Sequence, residues 1–122
     1  MKNDFDEDMK TFIDIWLIEQ DQNVIGESLV EFYINHRYDK KSLELFSKIV
    51  ACMSLKSMRY TIHKLIKGFE CSGLPLTRVH KKEIALSILI SLSKMHNIDF
   101  DSYRAEMIRS ISGYYLKVEK MG

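Results

Sequence analysis

Apolar residues recur at three- and four-residue spacing through most of this sequence, and that period restricts the chain to helices. The first such stripe consists of Phe5, Met9, Phe12, Ile13 and Trp16. A stripe of this kind marks the buried face of an amphipathic helix. No segment of the sequence shows the two-residue alternation of a half-buried strand. The pattern therefore predicts an all-α fold, with Trp16 in the core.

Short polar residues divide the apolar stripes into separate helices, because their side chains accept the unpaired amide hydrogens of a first turn. The expected caps are Asn23, Asp39, Ser54, Thr77 and either Asp99 or Asp101. Gly73 suits the left-handed position after a helix, and Pro75 prevents continuation. The first helix is expected to be about 17 residues long and to end before Asn23.

These boundaries predict five to six helices in a single compact domain, orthogonal and bundle-like, that spans residues 1–122. A chain of this length can bury a core of ordinary size. The stretch from Ile84 to Leu92 is apolar on nearly every face, apart from two serines. A helix that is apolar all round belongs at the centre of a bundle, so we expect this one to be the central helix.

Catalytic, cofactor and metal signatures are missing from the sequence. Its four histidines and two cysteines are scattered, without the spacing of a metal-binding motif. Its glycines stand alone, so neither a phosphate-binding loop nor a nucleophile elbow is present. We therefore expect a protein that is not an enzyme and uses no cofactor or metal. Cys52 and Cys71 are expected to be inert thiols.

The N-terminal sequence is acidic where a secretory signal would be basic and then apolar. No apolar run approaches the roughly 20 residues that span a bilayer. Together these features predict a cytoplasmic protein without a membrane partner.

Charged residues are distributed along the chain in a way that the formal net charge of +1 conceals. Residues 1–35 contain nine acids and two lysines, for a net charge of −7, whereas residues 36–82 contain eleven bases and three acids, for a net charge of +8. Such blocks either attract one another inside the fold or present a charged surface to a partner. The sequence leaves both interpretations open.

The acidic block predicts a helix face that docks on a basic protein. The expected contact residues are Asp14, Glu19, Asp21, Glu27 and Glu31. Complementary charge would speed association, while affinity would need aromatic anchors such as Trp16, Tyr33 or Tyr38. Tyr115 is a further candidate contact. In general character the chain resembles bacterial or phage immunity proteins and antitoxins. That resemblance implies an inhibitor that occludes the active site of a toxin, for example a basic nuclease.

The basic block predicts an alternative function, a helical regulator that binds nucleic acid. Basic side chains interleaved with Tyr and His can contact phosphates and stack on bases. The candidate residues are Lys56, Arg59, Tyr60, His63, Lys64, Lys67, Arg78, Lys81 and Lys82. A homodimer formed through an exposed helix face is a third alternative, which residue types alone do not separate from the first.

Overall fold

The structure, a computed structural model, describes residues 5–73, 76–95, 97–107 and 109–110, and all regular structure in these ranges is helical. The helices are α1 (Phe5–Ile18), α2 (Gln22–Asn35), α3 (Lys40–Cys52), α4 (Leu55–Cys71) and α5 (Arg78–Met95). Residues 100–107 and 109–110 are also helical. The predicted all-α fold of five to six helices is confirmed, whereas a single domain over 1–122 stays a prediction.

Short side chains cap the helices as the sequence predicts. In each case a side-chain oxygen accepts an amide hydrogen two or three residues further on: Asp39 from Lys41 (2.9 Å), Ser54 from Ser57 (3.2 Å), Thr77 from His80 (3.1 Å) and Asp99 from Ser102 (2.8 Å). Gly73 follows α4 with a positive φ of 72°, the conformation that glycine adopts most easily. These four caps and the glycine stop are confirmed, and Pro75 lies outside the described residues.

The start of α2 differs from the prediction. Asp21 is the N-cap, and its carboxylate accepts the amide hydrogen of Asn23 at 2.8 Å. The first helix ends at Ile18 after 14 residues. The Asn23 amide lies in the first turn of α2 and has no partner within the helix. Because the Asp21 carboxylate accepts its hydrogen, the helix begins at Gln22, one residue before Asn23.

The helices form two layers. The front layer contains α1, α2 and α4, in which α2 packs on both neighbours, and the back layer contains α3 and α5. The core between them includes the fully buried side chains of Trp16, Tyr33, Phe46 and Phe69. The prediction that Trp16 lies in the core is confirmed. Because Trp16 and Tyr33 are inaccessible, neither can anchor a partner.

The helical residues 100–107 close one end of the bundle. Phe100 and Tyr103 each place a ring 6.2 Å from that of Trp16. Arg104 donates to the carbonyl oxygen of Glu19 at 3.0 Å. A guanidinium at this position satisfies a carbonyl left unpaired where α1 ends.

The prediction that α5 is the central helix is wrong. Among the five helices α1–α5, α5 packs along its length only on α3, whereas α2 contacts α1, α3 and α4. The buried residues of α5 are Ile84, Ile88, Ser91 and Met95, which lie on one face at helical spacing. Ser47 donates to Ser87 at 2.6 Å across the α3–α5 contact. One apolar face is enough for a helix at this edge, and four apolar residues outside that face are exposed: Val79, Leu86, Leu89 and Ile90.

Candidate functional site

The five predicted acidic contact residues do not form one uniform surface. Asp14 is exposed on α1, and Glu31 is exposed on α2. The carboxylate of Asp21 caps α2, and Glu19 is half-buried and accepts the amide hydrogen of Asp21 at 3.1 Å. Two of the five carboxylates are thus turned toward the local backbone. Whether the rest contact a partner stays a prediction.

The basic candidates separate into an outward set and an inward set. Lys56, Arg59, His63 and Lys67 are exposed along one face of α4, as their spacing predicts. Tyr60 and Lys64 are half-buried beside α2. The remaining candidates, Arg78, Lys81 and Lys82, are exposed in the first turns of α5.

The acidic and basic blocks meet where α2 packs on α4, a contact that we call the α2–α4 seam. The carboxylate of Glu27 accepts a hydrogen bond from the Tyr60 hydroxyl and lies 3.7 Å from the Lys64 ammonium. The hydrogen bond to Glu27 is the main cause that raises the pKa of Tyr60. Three candidate residues from opposite predicted surfaces therefore contact one another. This geometry supports the interpretation that the blocks attract each other within the fold.

A close backbone approach holds the seam together. A Cβ atom added at Gly26 of α2 would lie 2.1 Å from the hydroxyl oxygen of Thr61 on α4. Thr61 is fully buried, and its hydroxyl contacts the sulfur of Met53 at 3.4 Å. The absence of a side chain at Gly26 lets the two helices come this near. Gly26 therefore fixes the spacing at which Glu27 meets α4.

An exposed apolar row on α5 is the feature that the sequence analysis missed. The row contains Val79 (68% exposed), Leu86 (58%), Leu89 (60%) and Ile90 (54%). These residues lie on one side of the helix, opposite the face that packs on α3. Lys82, one turn before Leu86, is exposed in the same row. We call these four apolar residues the α5 row.

The charges around the α5 row are mostly positive. Along α5 there are four cationic side chains, including Arg78 and Lys82 at its start and Lys94 in its last turn, and one acid, Glu83. The resulting charge of the helix is +3 when His80 is neutral. The sequence does contain a signal for this surface, the apolar composition of α5 itself. That composition fits a central helix, and it fits equally well an edge helix with a second, exposed apolar face.

The two cysteines differ in their surroundings. Cys52 is buried, and burial raises the pKa of its thiol to about 11. A thiol that stays protonated at neutral pH is a poor nucleophile. Cys71 is exposed at the end of α4. Burial therefore supports the prediction of inertness for Cys52 alone.

Among the described residues, no cluster of three or more His, Cys, Asp or Glu side chains is arranged to hold a metal ion. Within the same ranges, no helix combines the length and the apolar character that a membrane span requires. The candidate contact residue Tyr115 lies outside the described residues.

Comparison of the chain with protein-family models, with curated proteins and with solved structures found no match.

Proposed function

We propose that this chain is a protein-binding module and that its partner docks on the α5 row. The observation that carries the proposal is the exposure of four apolar side chains on one side of one helix. Scattered exposed apolar residues are ordinary on protein surfaces, but Leu86, Leu89 and Ile90 lie on neighbouring turns of α5, and such a cluster is typical of an interaction site. Transfer of such side chains out of water contributes roughly 25 cal/mol for each Å² of apolar surface buried.

The charge of α5 favours a partner with an acidic surface. With four cations and one acid along the helix, the complementary surface is apolar at its centre and acidic at its rim. Lys82 lies within the row, so an acidic side chain opposite it would fix the register of docking. A basic partner would place a positive charge against Lys82, and the repulsion would disfavour its binding.

This partner differs from the one expected from the acidic block alone. The inhibitor role, as an immunity protein or antitoxin of bacterial or phage type, remains our interpretation of the module. Its mechanism would be occlusion, in which a docked helix covers the functional surface of the partner. With the α5 row as the docking face, the occluded surface is apolar and acid-rimmed, unlike a basic nuclease cleft.

Site-specific photo-crosslinking in cells of the source organism tests the proposal. A benzophenone amino acid is placed at Leu89, and in separate variants at Asp14 and at Lys67, which are also exposed. We expect one heterologous protein adduct from position 89 and none from the other two. With the crosslinker at position 89, the additional substitution Lys82→Glu should lower the yield of that adduct. The substitution Lys94→Glu, at the far end of α5, should lower the yield less.

Other crosslinking results would contradict the proposal. An adduct only from position 14 would return the docking site to the acidic surface. An adduct with twice the mass of the chain would identify a homodimer. No adduct from position 89, with the variant still folded by circular dichroism, would leave the α5 row without a protein partner.

The second candidate function, nucleic-acid binding, rests on the exposed basic set of α4. Lys56, Arg59, His63 and Lys67 share one face and all reach solvent. If these residues contact phosphates, the logarithm of affinity should fall with the logarithm of salt, with a slope near 0.9 for each duplex phosphate contacted. Fluorescence anisotropy with single- and double-stranded oligonucleotides measures this slope. Replacing both Lys56 and Arg59 by Ala should reduce it by about two, and absent or salt-independent binding would exclude this function.

A further inference from the structure

The exposed side of α5 has the residue spacing of a coiled-coil contact. Alternating steps of three and four residues connect Val79, Lys82, Leu86, Leu89 and Ser93, and all five are exposed. At about 100° of rotation per residue, they fall within about 60° of a line drawn along the helix through Leu86. A stripe of this spacing is the pattern by which one helix packs lengthwise on another. We call these five residues the heptad stripe.

The heptad stripe is not the face that holds α5 in the fold. The buried residues Ile84 and Ile88 lie on the opposite side of the helix by the same rotation. Among α1–α5, only α3 packs along α5, and it covers that buried side. Leu86 and Leu89 are 58% and 60% exposed. The second apolar side of α5 therefore has no neighbour among these five helices.

The spacing of the heptad stripe favours a helix as the docking element. Along the axis the stripe is about 21 Å long, and its successive side chains are about 5 Å apart. A partner helix repeats its own face at the same interval, so its side chains can enter every gap of the stripe. A strand presents the side chains of one face about 6.7 Å apart, so it falls out of step after about two positions.

Lys82 makes a second copy of the chain a poor occupant. It lies in the heptad stripe one turn before Leu86, at a position where a coiled coil buries apolar side chains. In a parallel pair of identical helices, Lys82 would face its own copy. In an antiparallel pair centred on Leu86, it would face Ile90, which has no charge. A helix of a different protein can place an acid there and satisfy the ammonium.

The two halves of the heptad stripe have different flanks. Beside Lys82 the flanking residues are charged, with Arg78 on one side and Glu83 on the other. Two turns further along, the corresponding flanks are Ala85 and Ile90, and all four flanking residues are exposed. The complementary helix is therefore polar where it meets the start of α5 and apolar beyond that point.

We propose that the partner docks through an amphipathic α-helix that packs lengthwise on the heptad stripe, with an acidic residue against Lys82 and apolar residues against Leu86 and Leu89. This inference rests on the proposed function and adds the recognition element of the partner, which that function leaves open. The contact is a two-helix packing in which apolar side chains of each helix fill gaps of the other. The helix axes would cross at about 20°.

The separation of crosslinks on the partner tests the proposed helix. A benzophenone amino acid is placed at Val79, Leu86 or Ser93 in separate variants of the full chain, and mass spectrometry maps each attachment site. Positions 79 and 93 lie about 21 Å apart along α5. On a partner helix, their attachment sites should be about 14 residues apart, with the site from position 86 midway. On a partner strand they would be only about six residues apart.

A pair of variants tests the role of Lys82 on the purified chain, without the partner. Lys82→Leu completes an apolar heptad stripe, so it should strengthen self-association about tenfold or more over the natural sequence. Lys81→Leu is the matched control, because it adds the same apolar surface at an exposed position outside the stripe, and it should change self-association little. Analytical ultracentrifugation measures both variants, and circular dichroism checks that both are folded.

The outcomes separate this inference from the proposed function. Attachment sites about six residues apart, or sites scattered over separate segments, would overturn the docked helix and leave a protein partner on the α5 row. Adducts only with lipid or with a second copy of the chain would overturn both proposals, as would the absence of any adduct from the three positions.

Equal self-association of the Lys82→Leu and Lys81→Leu variants would also overturn the inference, because Lys82 would then not belong to the contact. Attachment sites about 14 residues apart, together with strengthened self-association of Lys82→Leu alone, would support it.

Discussion

The α2–α4 seam and α5 are opposite cases of how a helix uses its surface. At the seam the two charged blocks face each other, Gly26 admits close contact, and Glu27 joins Tyr60 and Lys64 across the boundary. On α5 one apolar face packs on α3 and a second one points to solvent. The comparison shows that some residues of a charged block can contact each other within the fold, while apolar residues of a helix can form an exposed surface.

Ile88 and Leu89 are adjacent apolar residues of α5, one buried and one exposed, and truncating each tests the contrast most strongly. Ile88 is buried against α3, so Ile88→Ala should lower the free energy of unfolding by about 2–4 kcal/mol. Leu89 is 60% exposed, so Leu89→Ala should change it by less than about 0.5 kcal/mol. Urea unfolding followed by circular dichroism measures both. Similar losses would mean that the α5 row is covered in the isolated chain.

Gly26 provides the corresponding test at the seam. Gly26→Ala should lower the free energy of unfolding by about 1–3 kcal/mol, because the new Cβ overlaps the Thr61 hydroxyl. Gly68→Ala is the matched control, since its Cβ would clash with the tip of the Ile34 side chain, which can move, and would lie at an ordinary contact distance of 3.6 Å from Val30. Adding Thr61→Ala should recover stability in the Gly26 variant, and failure to recover it would place the strain elsewhere.

Tyr33 joins the front layer to the start of α5, and its ionisation should make the fold sensitive to alkali. Burial raises the pKa of Tyr33 to about 12 from its ordinary 10.0. Since the unfolded chain releases this proton first, stability is unaffected below about pH 10 and declines as pH rises toward 12. The loss at pH 11 should be about 1 kcal/mol. Thermal unfolding from pH 8 to 11 should show a smaller decline for Tyr33→Phe than for the natural sequence, and an equal decline would contradict this role.

Removing the charges of the seam should have the smallest effect on stability and a clear effect on Tyr60. Glu27 raises the pKa of Tyr60, whereas Lys64 lowers it. Glu27→Gln should therefore let Tyr60 ionise at lower pH, and Lys64→Gln should make it ionise at higher pH. Phenolate absorbance, with Tyr60→Phe subtracted, follows this single group. An unchanged titration of Tyr60 in both variants would show that the three side chains do not interact.

Local features of the fold were predictable because they depend on neighbouring residues. Asp39, Ser54, Thr77 and Asp99 cap helices through bonds to amides two or three positions away. Asn23 has the chemistry of a helix cap, but Asp21 precedes it and accepts the Asn23 amide hydrogen, so Asp21 is the cap. Such errors concern two residues and leave the element order intact.

The candidate surfaces were less predictable, because they depend on which helices become neighbours. The periodicity of α4 correctly placed Lys56, Arg59 and Lys67 outside. It could not reveal that Lys64 would meet Glu27, a residue of a different helix. The second apolar face of α5 has the same sequence pattern as a buried face, because the sequence does not show how many helices surround a given one.

The central claim is that the α5 row is exposed in the isolated chain and covered when the protein partner binds. Thiol labelling of a Leu89→Cys variant, read by mass spectrometry on the purified chain and in cells of the source organism, measures this directly. Exposed Cys71 and buried Cys52 serve as internal fast and slow references. We expect the introduced thiol to react like Cys71 when purified and to be protected in cells, while Cys71 stays reactive. Protection in the purified chain, or equal reactivity in both settings, would contradict the claim.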